Sequence, residues 1–444
     1  MLSRDQKIKL CQKCPAPHRR NYFCNRHGDE WRKIVDQRST CPGWGNEAEP
    51  EPTTPDASIE DGQTIKLGLC MPNCAMGGVS RVFLTMMSAP VNHGLEWSGV
   101  AIGNALAFDP QTARQILKHC PIYCTQDDPK FQGLVTIVPN ACQTVVDRSH
   151  VINLWGYVES NQEIDAVEWG DKPILVVSHG QCEWTRKNIA LSLSKGTRHI
   201  PVSVSGGGVM CFPDAIQDRV RVVYNAADFS RCAPSRNRAD VRREWGVDPD
   251  VKAIGYIGRF AKDKNPMATA HAVAELGDGY HAVYVGEGYQ ADYVTTELLK
   301  LCGDRSTLVT RTDDIGSILA ALDCIVMAAP AEGGPLIAIE SWLAGCPVVS
   351  TSVGIIPELE AVFGDLVYQV PPDPSRRELA AAVLAAIEGD ERIDRARALS
   401  WSQFSPGRMV TGYETAIRDA LKPVEMPGVF QRLKRWLKCS LTGS

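Results

Sequence analysis

From Ile65 onward, short β-branched runs alternate with helical stretches, and this rhythm restricts the fold more than any other feature of the chain. "TIKLGLC" is followed by "GGVSRVFLTMMSA", and later come "QGLVTIVP", "HVINLWGYV", "KPILVVSHG" and "TRHIPVSVS", each separated from the next by a helical stretch. Runs this apolar must be covered on both faces, which a parallel sheet with crossover helices provides. A second series starts after "RVRVVYNAADFSR" and runs through "VKAIGYIGRF", "YHAVYVGEG", "STLVT", "CIVMAA", "PVVSTS" and "DLVYQV", with helices between. At 444 residues the chain is too long for one ordinary domain. We expect an α/β protein of two facing Rossmann-like domains, residues 65–218 and 219–400. In such sheets ligands gather at the carboxyl ends of the strands, here in the cleft between the domains.

The stretch "AEGGPLIAIESWLAGCPVVSTSVGIIPE" holds the strongest chemical signal. Leu336, Ile337, Ala338, Ile339, Trp342, Leu343 and Ala344 make a helix apolar almost all round, which belongs in an interior. Yet Glu340 lies inside it, and Glu332 stands just before Gly333, Gly334 and Pro335. Proline suits the first helical position, and the glycines leave the first amides open to a phosphate. A carboxylate can accept from two vicinal hydroxyls, so Glu332 and Glu340 beside a phosphate site suit a sugar and a ribose. The plainer alternative pairs Glu340 with a neighbouring base and gives Glu332 a loop-capping role. Because an unpaired buried carboxylate is costly, the functional reading is preferred.

Further signals end strands. In "YIGRFAKDKNP", Arg259 and Lys264 flank a glycine turn and suit a diphosphate, or else form a surface salt bridge. "VGEG" supplies Gly286 and Gly288, a weak turn signal on its own. His179 in "ILVVSHGQCEW" precedes a glycine and is either functional or a satisfied structural histidine. "DPD" (Asp248, Pro249, Asp250) reads as a turn rather than a metal site.

Together these residues resemble the large family of retaining glycosyltransferases with the GT-B fold and the E-x7-E motif. Glu332 and Glu340 match that motif. "VVYNAADF", with Asn225 and Asp228, resembles the element before the second domain. "GRFAKDK" is similar to the diphosphate clamp, "GEG" to the G-x-G turn, and "MGGVSRV" to the first glycine loop. The resemblance covers roughly residues 65–420, with its motifs in order; it departs from the pattern at "GGP" and at Ala226–Ala227.

The resemblance implies a UDP- or GDP-sugar donor and, as acceptor, a glycan, lipid or protein. Glu340 would hold the ribose diol and Glu332 the donor sugar. Amides near Gly334, Pro335 and Leu336 would hold sugar and phosphate. Arg259 and Lys264 would neutralise the leaving diphosphate without a metal or other cofactor in the transfer site. Gly77 and Gly78 would line the phosphates from the first domain, and His179 would sit beside the transferred sugar. Family members finish with a helix that crosses back to the first domain, which places residues 401–424 in that role. Readings kept open are a nucleotide-sugar epimerase or hydrolase of the same fold, and a non-catalytic binding protein.

The two ends read differently. Residues 1–46 carry ten Lys/Arg against four Asp/Glu, whereas residues 47–64 are acidic and proline-rich and read as a linker. Cys11, Cys14, Cys24 and Cys41 begin with a C-x2-C knuckle that suits zinc; an unmetallated tail or an iron–sulfur cluster are the other readings. At residues 425–444, Val429, Phe430, Leu433, Trp436 and Leu437 share one helical face opposite Arg432, Lys434, Arg435 and Lys438. That pattern fits peripheral contact with anionic lipid or a partner. The net charge of −5 gives no reason to expect nucleic acid. The opening "LSRDQKIKLC" lacks the apolar core of a secretion signal, and no run approaches a membrane span. We therefore expect a cytoplasmic protein, in which most of the sixteen cysteines are small core residues.

Overall fold

A computed structural model describes residues 63–75, 77–89, 94–157, 162–309 and 312–422. Cys11, Cys14, Cys24, Cys41, the acidic linker up to residue 62 and the basic segment 425–444 lie outside the described residues.

The first sheet is built from β1 (Ile65–Met71), β2 (Leu95–Ile102), β3 (Ile122–Cys124), β4 (Thr136–Ile137), β5 (Val151–Leu154), β6 (Pro173–Ser178), β7 (Arg198–Ser203) and β8 (Arg221–Val222). Its order is β4-β3-β2-β1-β5-β6-β7-β8, with every pairing parallel. The second contains β9 (Lys252–Ile257), β10 (Tyr280–Val285), β11 (Ser306–Val309), β12 (Cys324–Met327), β13 (Val348–Thr351) and β14 (Tyr368–Val370), in the order β11-β10-β9-β12-β13-β14, again parallel. β5 and β6 are buried at every position because helices cover both sheet faces. Each strand order reverses once, between β1 and β5 and between β9 and β12. Those switch points open crevices at the strands' carboxyl ends.

Five helices matter for the site: α1 (Gly78–Met87), α2 (Leu336–Ala344), α3 (Ile356–Phe363), α4 (Arg392–Gln403) and α5 (Pro406–Leu421). α2 sends Ala338, Ile339, Trp342 and Leu343 into the second-domain core and ends at Gly345, whose φ of 76° suits glycine. α4 packs on α2 in the second domain. The Ser405 side chain caps the start of α5, accepting from the Arg408 N–H, and Pro406 opens its first turn. α5 then returns to the first domain, where Met409, Val410, Tyr413, Ala416 and Ile417 join the core.

Several details depart from the sequence reading: β2 and β3 fall in segments where it places no strand. The first sheet continues past residue 218, because Val202 and Ser203 pair with Arg221 and Val222. The strand expected in "QGLVTIVP" shrinks to Thr136–Ile137, both exposed at the sheet edge. All eleven cysteines among the described residues are free thiols, and only Cys182 of these is exposed. No helix among the described residues is long and apolar enough to cross a membrane.

Candidate functional site

A cleft of about 280 Å³ lies where the carboxyl ends of the two sheets face each other. From the first domain, the turn after β1 contributes Gly77, Gly78 and, one helical turn on, Arg81. From the second come Arg259 and Lys264 after β9, Gly286 after β10, Glu332, Pro335, Leu336 and Glu340 after β12, and Arg231.

Glu340 is 5% exposed, and its Oε1 accepts from the Arg231 guanidinium. Burial pushes its carboxyl above the usual carboxylate range, while Arg231 and then Arg81 pull in the opposite direction. Arg81 is itself mostly buried, which lowers its pKa. A carboxylate left alone here would cost several kcal/mol. Glu340 thus has a side-chain partner in Arg231. Glu332 is paired as well, its Oε1 accepting from Lys264 Nζ at 2.6 Å. Arg259 donates to Asp263 at 3.2 Å, with both side chains more than half exposed. An exposed pair of that kind is worth less than about 1 kcal/mol, so another anion can displace Asp263 at small cost.

The glycines divide into two kinds. A Cβ at Gly77 or Gly78 would meet nothing within 4 Å, so protein packing does not demand glycine at either position. Gly286, with φ 152°, is different, because a Cβ there would collide with the Gly258 carbonyl. At Gly288 it would stand 2.8 Å from the Phe260 nitrogen. Gly288 does not line the cleft; it lets the two loops approach. Gly333 presses against the backbone of His179 and Gly180 from the first domain. Gly334 also lies outside the lining, its carbonyl accepting from Asn225 Nδ2 at 3.0 Å. Pro335 is the cap of α2 rather than its first residue: its ψ is 104°, and its carbonyl accepts from the Ala338 N–H at 3.2 Å.

His179 does not line the cleft either. Its ring packs edge-on against Trp155 at 4.6 Å and Phe83 at 5.9 Å. Both ring nitrogens are buried with no partner among the described residues, and burial drives its pKa down to about 3. The ring is therefore neutral at pH 7.

Sequence reasoning missed Arg81 and Arg231, although both stand inside quoted motifs. Arg81 follows the glycine pair by one helical turn. Arg231 is positioned by Asp228, whose Oδ1 accepts from the Ser230 N–H, the Ser230 hydroxyl and the Arg231 N–H in one tight turn. Among the described residues no group of three or more His, Cys, Asp or Glu could hold a metal.

This architecture, two Rossmann-like domains facing across a cleft, is the GT-B fold. It is shared with HepE of Anabaena, solved in complex with UDP-glucose, at a TM-score of 0.62 and 16% identity over 80% of this chain and 100% of that one. WaaG, a glycosyltransferase involved in lipopolysaccharide biosynthesis, superposes with a TM-score of 0.55 and 12% identity, over 80% of this chain and 99% of that one. In sequence, residues 251–389 match the family described as glycosyl transferases, group 1. The chain is 28% identical over 213 residues to the D-inositol 3-phosphate glycosyltransferase of Mycolicibacterium gilvum, 45% of this chain and 48% of that protein. It is 26% identical over 209 residues to the N-acetyl-alpha-D-glucosaminyl L-malate synthase of Bacillus anthracis, 46% of this chain and 54% of that protein. The chain thus spans about half the length of these curated relatives.

Proposed function

We propose that this protein is a glycosyltransferase that moves a sugar from a UDP- or GDP-sugar to an acceptor hydroxyl, with retention at the anomeric carbon. The observation that carries the reading is the convergence of Glu332, Glu340, Arg259 and Lys264 in one interdomain cleft, opposite the open glycines Gly77 and Gly78. The group 1 family match over the second domain and the fold shared with a UDP-glucose-bound protein support it.

In this reading the donor exchanges the cleft's internal ion pairs for its own. The diphosphate takes Lys264 from Glu332 and Arg259 from Asp263. Glu332, freed from its cation, accepts from hydroxyls of the donor sugar. Glu340 turns its remaining acceptor capacity to the ribose diol while Arg231 keeps it charged. Gly77, Gly78 and the first amides of α2 approach the phosphates closely. As the glycosidic bond breaks, charge builds on the departing diphosphate, where Arg259 and Lys264 are already placed to stabilise it. The leaving phosphate then accepts the acceptor's proton on the same face of the sugar, which gives retention without a protein nucleophile.

The test starts from a thermal-shift screen of sugar nucleotides, followed by turnover assays on each hit. Glu340→Gln should weaken binding of the nucleoside diphosphate by about tenfold, the worth of one charged hydrogen bond. Glu332→Gln should leave that binding nearly intact and lower transfer by 100-fold or more, on the order of one lost transition-state contact. Full binding and full turnover in both variants would remove the site assignment. Conversion of the donor to an epimer, with no transfer, would assign the same cleft to an epimerase.

A further inference from the structure

A second, larger cavity of about 840 Å³ lies away from the cleft, beside the amino-terminal half of β7. β8 pairs only with Val202 and Ser203, so among the described residues no strand lies on that side of β7 from Arg198 to Pro201. The last turns of α5 form the opposite wall. β7 runs six residues from this cavity towards the interdomain side, about 20 Å at the usual rise per residue. The two cavities therefore share no lining residue.

The charge of this cavity is one-sided. Among the described residues, Arg198, Arg219, Arg221 and Lys422 face a single carboxylate, Asp419, beside His199. Asp419 is shared, accepting from Arg221 and standing 3.0 Å from Lys422 Nζ. Arg198 is held by the Ala420 carbonyl at the end of α5. Arg219 is exposed and has no side-chain partner among the described residues. Three of the four cations are arginines, whose planar forks match the paired oxygens of a phosphate.

We propose that this cavity is a second anion site, one that takes a phosphate-bearing group independently of the donor cleft. Two sources carry that chemistry: the headgroup of an anionic phospholipid and a soluble phosphorylated molecule.

The experiment compares the full chain with an Arg219→Ala/Arg221→Ala variant in two arms. In the first, both proteins are sedimented with phosphatidylglycerol vesicles, with phosphatidylcholine vesicles as the control. In the second, both are titrated with sodium pyrophosphate by calorimetry; binding in the donor cleft is common to both proteins, so the difference reports the second cavity. Each cation near an anionic surface is worth about fivefold, so the variant should bind at least about tenfold more weakly in one arm. Loss with phosphatidylglycerol identifies a lipid headgroup; loss with pyrophosphate alone identifies a soluble ligand. Equal binding by the two proteins in both arms overturns the proposal. If the double variant melts at a lower temperature than the parent, Arg219→Ala alone replaces it, since that side chain holds no partner among the described residues.

Discussion

A buried histidine with both ring nitrogens idle is an unusual residue to keep, and His179 gives the protein a measurable pH dependence. Its folded-state pKa is about 3, against an unfolded value near 6.5. Above pH 6.5 the ring is neutral in both states and contributes no pH dependence. Below 6.5 the unfolded chain takes up a proton that the folded chain refuses, so stability falls as pH drops towards 3. The slope is at most about 1.4 kcal/mol per pH unit. Urea denaturation between pH 7 and pH 4 should show this loss, and His179→Phe should lack that part of it. Arg231 makes the opposite case. Arg231→Ala should destabilise the ligand-free protein by about 3 kcal/mol at pH 8, because Glu340 loses the cation that compensates its burial. The carboxyl's raised pKa means that the folded state binds its proton more tightly than the unfolded chain does. The deficit should therefore be smaller at pH 5 than at pH 8. Glu332 and Glu340 were legible because their spacing and the apolar helix around Glu340 are local facts. Arg231 was not, since it reaches Glu340 across 109 positions of sequence.

At the scale of elements, glycine serves two purposes that sequence cannot separate. "MGG" and "GEG" look alike as turn signals, yet only Gly286 and Gly288 are demanded by neighbouring backbone. Gly78→Ala, at the first position of α1, should fold with equal or slightly higher stability, since alanine is the better helix former. It should still bind donor about tenfold more weakly if its open space receives a phosphate. Gly286→Ala should cost about 2–4 kcal/mol in urea denaturation, through its positive φ and the collision with Gly258. The alternation of strands and helices was readable across the second domain, where buried parallel strands advertise themselves as apolar runs, but β2, which carries Glu96 and Ser98 among its apolar residues, and the three-residue β3 were missed in the first. β8 was missed too, being two exposed residues defined only by the edge they pair with. Pro335 shows the same limit more finely: proline fixes φ, but the position of the cap depends on ψ, which proline leaves free.

Across the whole molecule, a few contacts join the two domains. Asp313 of the second accepts from Arg81 at 3.2 Å and also from Gln111, both in the first. Glu358, at the start of α3, accepts from the Gly206 N–H at 2.6 Å. Asp313→Ala should loosen this join. Small-angle scattering is then expected to give a larger radius of gyration for the ligand-free variant, with unchanged circular dichroism. The two-domain plan followed from chain length and a doubled rhythm of strands. The contacts across the domains did not, because each links residues more than a hundred positions apart.

The return of α5 has a consequence for how this protein is made. The first domain's core includes Met409, Val410, Tyr413, Ala416 and Ile417, which leave the ribosome only after the whole second domain has emerged. At about 10 residues per second, the first sheet waits on the order of tens of seconds with that face uncovered. The second domain, contiguous in sequence, can close before the first is complete. Order of synthesis and order of completion are thus reversed, and a chain arrested before residue 406 would expose an apolar face for chaperones to find.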